Sequence, residues 1–373
     1  LTGATSKGTE DFRVAALKRG AAAEHFREVE GLKISSLGLG TYLGESDDET
    51  DALYRRAVIE ATELGCNLVD SAINYRCQRS ERAVGRALGD LESKGVRRDQ
   101  IVVCTKGGYI PYDGAPPGSA ADYLRTEFFE KNLLRPEEVV SGHSLAPRFL
   151  RHQIEASLAN LGLETVDVYY LHNPETQLRA VDRKEFHTRI ASAFEALESA
   201  AEEGRIAFYG TATWNGYRAN PKAREFLSLA EVVSVAREVA GDKHRFRFVQ
   251  APYSLAMTEI FTGDNQPDGE TRASLCQAAA SLGVHVVASA SLAQGQLKAG
   301  LPDWLGKLFK GLRSDAQRAL QFVRSTPGVV SALVGMKSPE HVRENLEVAR
   351  VSPAAVEDFL KLFEVDSRGD PRI

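Results

Sequence analysis

The sequence predicts an α/β fold, a closed (β/α)8 barrel of the TIM type, with a short N-terminal hairpin and arm and with long loops at its C-terminal face. Two observations predict it. A strand-then-helix unit recurs eight times along the chain. Several of the apolar runs stop at a polar or ionisable side chain, and in such a barrel the strand ends meet at one rim. The 373 residues are ample for a large core, and α/β barrels reach this size as one domain. A doubly wound dinucleotide fold is the runner-up. Its phosphate loop is not matched, because Gly38-Leu39-Gly40-Thr41-Tyr42-Leu43-Gly44 misses the G-x-G-x-x-G spacing by one residue.

Residues 1–30 are polar, Ala-rich and charged, and are expected to lie as an arm on the surface with a short helix near Asp11 to Lys18. Residues 31–373 are expected to form the barrel. Leu32 to Ser36 is expected to pair with Glu28 and Val29 before the first barrel strand, Leu37 to Gly40. Ser46-Asp47-Asp48-Glu49 has capping-box spacing; Leu53, Ala57, Ala61 and Leu64 follow at helical intervals, and Gly65 stops the helix. The second strand is Leu68 to Asp70, with a helix from about Ser80 to Leu91. The third is Ile101 to Lys106, and its helix is delayed until Leu150, Ile154, Leu158 and Leu161. Between them, Gly107 to Ser144 is a long loop of the kind that usually has a function.

Val166 to His172 is the fourth strand, and Phe186, Ile190, Phe194, Leu197 and Ala201 mark its helix. Ala207 to Thr211 is the fifth; a long helix from Pro221 to Ala240, capped by Asn220, is expected after it. Phe246 to Gln250 is the sixth, with a helix through Leu275, Ala279 and Leu282 to Gly283. Val284 to Ala288 is the seventh, its helix opened by the Ser314-Asp315-Ala316-Gln317 box. Val329 to Val334 is the eighth, and Ser338-Pro339 opens the helix after it. A last helix is expected from Ser352-Pro353.

The net charge of −5 supplies no basic field for nucleic acid or an anionic membrane. No apolar run approaches a membrane span. Cys66, Cys77, Cys104 and Cys276 have no C-x-x-C spacing, so buried, reduced thiols and a cytoplasmic location are expected. No His/Cys/Asp cluster has metal-ligand spacing. The chain begins at Leu1, and its two methionines are Met257 and Met336, so the true start is expected to lie upstream.

Four strand ends carry the candidate chemistry. Asp70 closes the second strand with Tyr75 five residues on, Lys106 closes the third, His172 the fourth and Gln250 the sixth. Each alone is an ordinary residue: a strand-end Asp caps turns, a lone Tyr or His packs with a satisfied polar tip, and Lys106 alone suits a Schiff base. Together they suit proton transfer at a carbonyl. Tyr75 can donate a proton, Lys106 would stabilise its phenolate, Asp70 would hold Lys106, and His172 would orient the carbonyl.

These residues resemble the aldo-keto reductase superfamily from about Ser36 to Val365. Leu37-Gly38-Leu39-Gly40-Thr41-Tyr42 is similar to its opening motif, Asp70 and Tyr75 to its Asp-x4-Tyr pair, and Ser80-Glu81 with Val84-Gly85 to the helix that follows. Lys106 and His172 sit as its third-strand Lys and fourth-strand His do. The resemblance implies a catalytic set of Asp70, Tyr75, Lys106 and His172 and no metal. It implies cofactor contacts from Gly40, Thr41, Tyr42, Thr211, Gln250, Ser289, Leu292, Gly335, Lys337, Ser338, Glu344 and Asn345, and substrate contacts from Tyr109, Asn173 and Trp214. Tyr217 and the aromatic residues of the long loop are further candidates for the pocket wall. The implied activity interconverts an aldehyde, ketone or sugar with its alcohol. The implied cofactor is a nicotinamide dinucleotide, NADPH more than NADH, because Lys337-Ser338 at a helix start would hold a 2′-phosphate.

Three positions depart from the family pattern: Asn173 replaces a bulky aromatic residue, Ala212-Thr213 replaces Ser-Asn, and Ser289-Ala290-Ser291-Leu292 replaces Tyr-Ser-Pro-Leu. A cofactor-binding regulatory protein with little turnover is therefore a second reading.

Overall fold

The structure is a computed structural model that describes residues 3–269 and 271–364. Leu1, Thr2 and Val365, the expected limits of the arm and of the resemblance, lie at or beyond its edges, outside the described residues.

Eight parallel strands close into a barrel. In chain order they are Leu37–Gly40, Leu68–Asp70, Val102–Gly107, Val166–His172, Ile206–Ala212, Phe246–Pro252, His285–Ser289 and Val329–Gly335. Side chains alternate across each strand, and the alternation explains why polar residues meet at one rim. Leu68, Cys104, Val168, Tyr170, Phe248 and Val287 fill the barrel interior, whereas Val69, Val103, Tyr169, Leu171, Val249 and Val286 pack outward among the helices. Asp70, Lys106, His172 and Gln250 each stand two residues beyond an interior residue, on the same face and at the strand's C-terminal end. The fifth and sixth strands approach so closely that a Cβ on Gly210 would lie 1.8 Å from the Phe248 carbonyl oxygen; only glycine fits.

The opposite end is stoppered by a hairpin, Phe26–Val29 with Leu32–Ser35. Its Val29, Leu32 and Ile34 join the interior cluster. The arm helix is longer than expected, Ser6–Lys18 with Thr5 as its cap, and it buries Phe12 and Ala16 against the barrel's outer core.

Three helix starts differ from expectation, each because a tertiary contact takes the backbone. The first barrel helix is Asp48–Glu63, capped by Asp47 rather than Ser46. Arg76 draws in the carbonyls of Glu45 (2.6 Å) and Asp47 (3.2 Å), which sets that turn. The helix expected from Pro221 begins only at Leu229, with Ser228 as its cap. Asn220 instead folds an Asx turn onto the Lys222 N–H (2.9 Å), and Arg183 binds the Phe226 carbonyl (2.6 Å) that a helix would need. The last helix is Val356–Leu360 rather than one from Ser352, whose carbonyl accepts from Gln321 and whose hydroxyl donates to Glu24. A small hairpin after the sixth strand, Gln266–Asp268 with Thr271–Ala273, was not anticipated.

Candidate active site

Asp70 and Lys106 come from adjacent strands and form an ion pair of 2.5 Å, with Lys106 only 1% exposed. Lys106 also donates to the Ser71 carbonyl (2.7 Å), and Gln250 donates to the other Asp70 oxygen (2.9 Å). A buried charge persists only with such partners. Burial works against the Lys106 ammonium, but Asp70 and Tyr75 outweigh it and its pKa stands above the ordinary value.

Tyr75 lies over this pair, with the Lys106 ammonium 5.0 Å from its ring centre. Burial dominates at the phenol and raises its pKa, while Lys106 opposes the rise. Lys106 thus limits the rise without reversing it. The rings of Tyr42 and His172 meet the Tyr75 ring edge-on at 5.0 and 5.7 Å. The backbone after Tyr75 is unusual. Arg76, Cys77 and Gln78 all take left-handed φ, at 49°, 56° and 69°, a conformation that costs about 1 kcal/mol or more per residue outside glycine. Arg76 holds it in place through the carbonyls of Glu45 and Asp47, a 2.5 Å ion pair to Asp51 and a cation–π contact with Tyr54.

His172 is set from behind. Gln177 donates to Nδ1 of buried His143 (2.9 Å), so the His143 Nε2–H donates to the His172 carbonyl (2.8 Å). Burial, with Lys106 and His143 nearby, holds the His172 pKa well below the ordinary imidazole value, so the ring is neutral. Among the described residues its Nδ1 has no hydrogen-bond partner.

A cavity of about 870 Å³ opens above these groups. Of the candidate residues, Gly40, Thr41, Tyr42, Asp70, Tyr75, Tyr109, His172, Asn173, Trp214, Gln250, Ser289, Leu292, Gly335, Lys337, Glu344 and Asn345 line it. Lys106 lies beneath it. Thr211 does not reach it: its hydroxyl is engaged 2.6 Å from the Tyr217 hydroxyl, and Tyr217 is itself in the core rather than the pocket wall. Ser338 is likewise outside the lining, its hydroxyl accepting from the His341 N–H at the start of helix Pro339–Leu346. Of the long-loop aromatic residues, Tyr109 alone lines the cavity. Phe128 anchors a satellite cluster with Leu134 and Phe149 instead.

The cavity also takes residues that sequence reasoning missed as contacts: Asn74, Thr213, Ser291, Gln294, Gly295, Lys298 and His341. Gly295 and Lys298, just past the seventh strand, were the visible signal. There the backbone is left-handed at Ala290, Ala293, Gln294 and Gly295. The hydroxyls of Thr213 and Ser291 are buried without a partner among the described residues, and neither Lys298 nor Lys337 enters an ion pair there. All four cysteines are free and buried, and no described helix is long and apolar enough to cross a membrane.

Known proteins bear on this site as follows. Residues 36–301 match the profile of the aldo/keto reductase family. An Escherichia coli (strain K12) protein named NADH-specific methylglyoxal reductase is 29% identical over 206 residues, which cover 54% of this chain and 54% of that protein. The match thus spans about half the length of that relative. Among solved structures, the glycerol dehydrogenase of Gluconobacter oxydans superposes with a TM-score of 0.62 at 21% identity, over 91% of this chain and 94% of that one. An aldo/keto reductase of Klebsiella pneumoniae in complex with NADP and acetate gives 0.59 at 21% identity, over 91% and 93%. At such identity these likenesses concern the fold.

Proposed function

Because the chain belongs to the aldo/keto reductase family, we propose that it is an NAD(P)H-dependent oxidoreductase interconverting a carbonyl compound and its alcohol. The observation that carries this reading is the buried Asp70–Lys106 pair beneath Tyr75, with neutral His172 beside it. A carbonyl that gains a hydride becomes an alkoxide and needs a proton. Burial keeps the Tyr75 phenol protonated, so it can donate, and Lys106 stabilises the phenolate left behind. Asp70 and Gln250 hold Lys106 in position. A neutral His172 offers a hydrogen-bond donor to the carbonyl oxygen without adding charge, and Tyr109, Asn173 and Trp214 form the substrate wall.

The unpartnered hydroxyls of Thr213 and Ser291 and the cations Lys298 and Lys337 fit a nicotinamide dinucleotide laid across the cavity. Gln250 and Ser289 would lie near its nicotinamide end, Gly40, Thr41, Tyr42 and Leu292 along its length, and Gly335, Glu344 and Asn345 near its adenosine end. Such a cofactor supplies the hydride. We favour NADPH over NADH, since a 2′-phosphate would meet Lys337 and the N-terminus of helix Pro339–Leu346. NADH specificity belongs, by name, to the Escherichia coli relative. Four free thiols support a cytoplasmic location.

A second reading, a nucleotide-binding regulatory protein with little turnover, is favoured by Ser289-Ala290-Ser291, which place no aromatic ring at the seventh strand end. One experiment separates the two: nucleotide titration, then turnover of a carbonyl panel by wild type and Tyr75→Phe. Turnover that falls about 10²–10⁴-fold in Tyr75→Phe supports the reductase. Tight binding without turnover moves the chain to the regulatory reading, and failure to bind either nucleotide sinks both.

A further inference from the structure

A second cavity, of about 380 Å³, adjoins the first and shares Tyr109, Asn173 and Trp214 with it. The carbonyl chemistry described above does not use it. Its remaining wall is mostly polar and carries both signs of charge, with Glu175, Thr176, Arg179, Asn215, Arg224 and Glu225.

Glu175 is 6% exposed. One of its oxygens accepts the backbone N–H groups of Trp214 (3.2 Å), Asn215 (3.3 Å) and Gly216 (3.2 Å). Its other oxygen is buried without a partner among the described residues. Burial raises the Glu175 pKa to about 7 and closes that oxygen off from solvent, so Glu175 shapes the cavity by holding the backbone of Trp214, Asn215 and Gly216 in its wall. Arg224 is pre-positioned, its Nε donating to the Leu178 carbonyl. Neither Arg224 nor Arg179 forms an ion pair among the described residues, which leaves guanidinium donors unspent. Trp214, held by Glu175 through its own N–H, stands 44% exposed where the two cavities meet.

We propose that this second cavity is an extension subsite for the distal part of a hydroxyl-rich, sugar-like carbonyl substrate, whose reacting end lies beside Tyr75 and His172. A hydroxyl both donates and accepts. A wall that sets the Glu225 carboxylate beside guanidinium donors satisfies both capacities at successive hydroxyls. An apolar tail would instead cover Arg179, Arg224 and Glu225 without offering them a partner, and an anionic tail would meet Glu225 as well as the arginines. A three-carbon dicarbonyl such as methylglyoxal is too short to engage both cavities. The inference rests on the reductase reading for its placement of the reacting end.

The test compares kcat/KM for methylglyoxal with that for five- and six-carbon aldoses, a hexuronate and a reducing disaccharide, in wild type, Arg224→Gln and Arg179→Gln. The ratio of long to short substrates is expected to fall about tenfold or more in Arg224→Gln, the size of a lost charge-assisted hydrogen bond, and to stay put in a surface control, Arg55→Gln. A parallel titration of the NADP⁺-loaded protein with a non-reacting disaccharide alcohol reads the subsite without turnover. Turnover with an unchanged ratio overturns the subsite and leaves the reductase intact. Disaccharide-alcohol binding that Arg224→Gln weakens, in a protein that reduces nothing, keeps the subsite and overturns the reductase. A ratio that favours uronates over neutral sugars replaces the hydroxyl-rich substrate with an anionic one. Absence of both turnover and binding overturns both.

Discussion

The rim over the second to fourth strands and the rim over the seventh and eighth are built in opposite ways. In the first, the polar groups are largely spent on one another. Lys106 bonds Asp70 and Ser71, Gln250 bonds Asp70, His143 bonds the His172 backbone, and Arg76 fastens the left-handed turn that follows Tyr75. In the second, the Ser291 hydroxyl has no partner among the described residues, Lys298 and Lys337 form no ion pair there, and the left-handed residues of 290–295 have no comparable clamp. Groups proposed to transfer the proton are thus held by the chain itself, which would remove the cost of reorganisation at the reacting centre. Groups proposed to grip a dinucleotide keep their bonding capacity for it.

The sharpest way to break the contrast is at Arg76. Arg76→Ala removes the 2.5 Å pair to Asp51 and leaves a left-handed residue without its fastening. Asp51 keeps Arg79 and Arg86 as partners, so the loss falls mainly on the two carbonyl bonds and is expected to be about 2 kcal/mol in denaturant unfolding, with kcat lowered more than cofactor affinity. Arg76→Gly should recover about 1 kcal/mol of that loss, because glycine adopts φ near +49° without penalty. If alanine and glycine unfold alike, strain in the turn is not what Arg76 offsets.

Lys337→Ala probes the other rim with a smaller effect. Unfolding is expected to change by less than about 0.5 kcal/mol, while NADPH affinity falls about tenfold and NADH affinity far less, as fluorescence titration would show. Equal loss for the two nucleotides would remove Lys337 from the 2′-phosphate.

A third expected effect is in pH. Burial holds the His143 pKa at about 4, below the ordinary imidazole value of 6.5, so the unfolded chain binds this proton before the folded one does. The stability linked to neutral His143 is therefore full above pH 6.5 and is lost as pH falls toward about 4. A melting-temperature series is expected to slope downward over that window, and His143→Gln should flatten it. Buried His25, held at about 3, contributes a parallel slope of its own. A slope unchanged in His143→Gln would assign the acid sensitivity to other groups.

Much of the barrel was legible because its signals are local. Apolar runs, the Ser314 cap and the Gly283 stop act within a few residues, and the structure places strands and helices where they point. The errors fall where distant atoms compete for the backbone. Asn220-Pro221 has the chemistry of a helix start, yet Arg183 and Gly216 take the carbonyl and N–H groups on which that helix depends. Tyr217 follows Trp214 by three residues, but it turns inward to Thr211 while Trp214 faces the cavity.

By itself the sequence determined the order of eight strand–helix units and that Asp70, Lys106, His172 and Gln250 stand at strand ends on one rim. Only the tertiary structure decided what those ends do to one another. Asp70 and Gln250 are 180 residues apart and bond at 2.9 Å solely because the barrel closes. Closure also sets the burial that raises the Tyr75 pKa, lowers that of His172, and leaves one Glu175 oxygen facing no donor. Periodicity is written residue by residue, whereas desolvation belongs to a volume assembled from the whole chain.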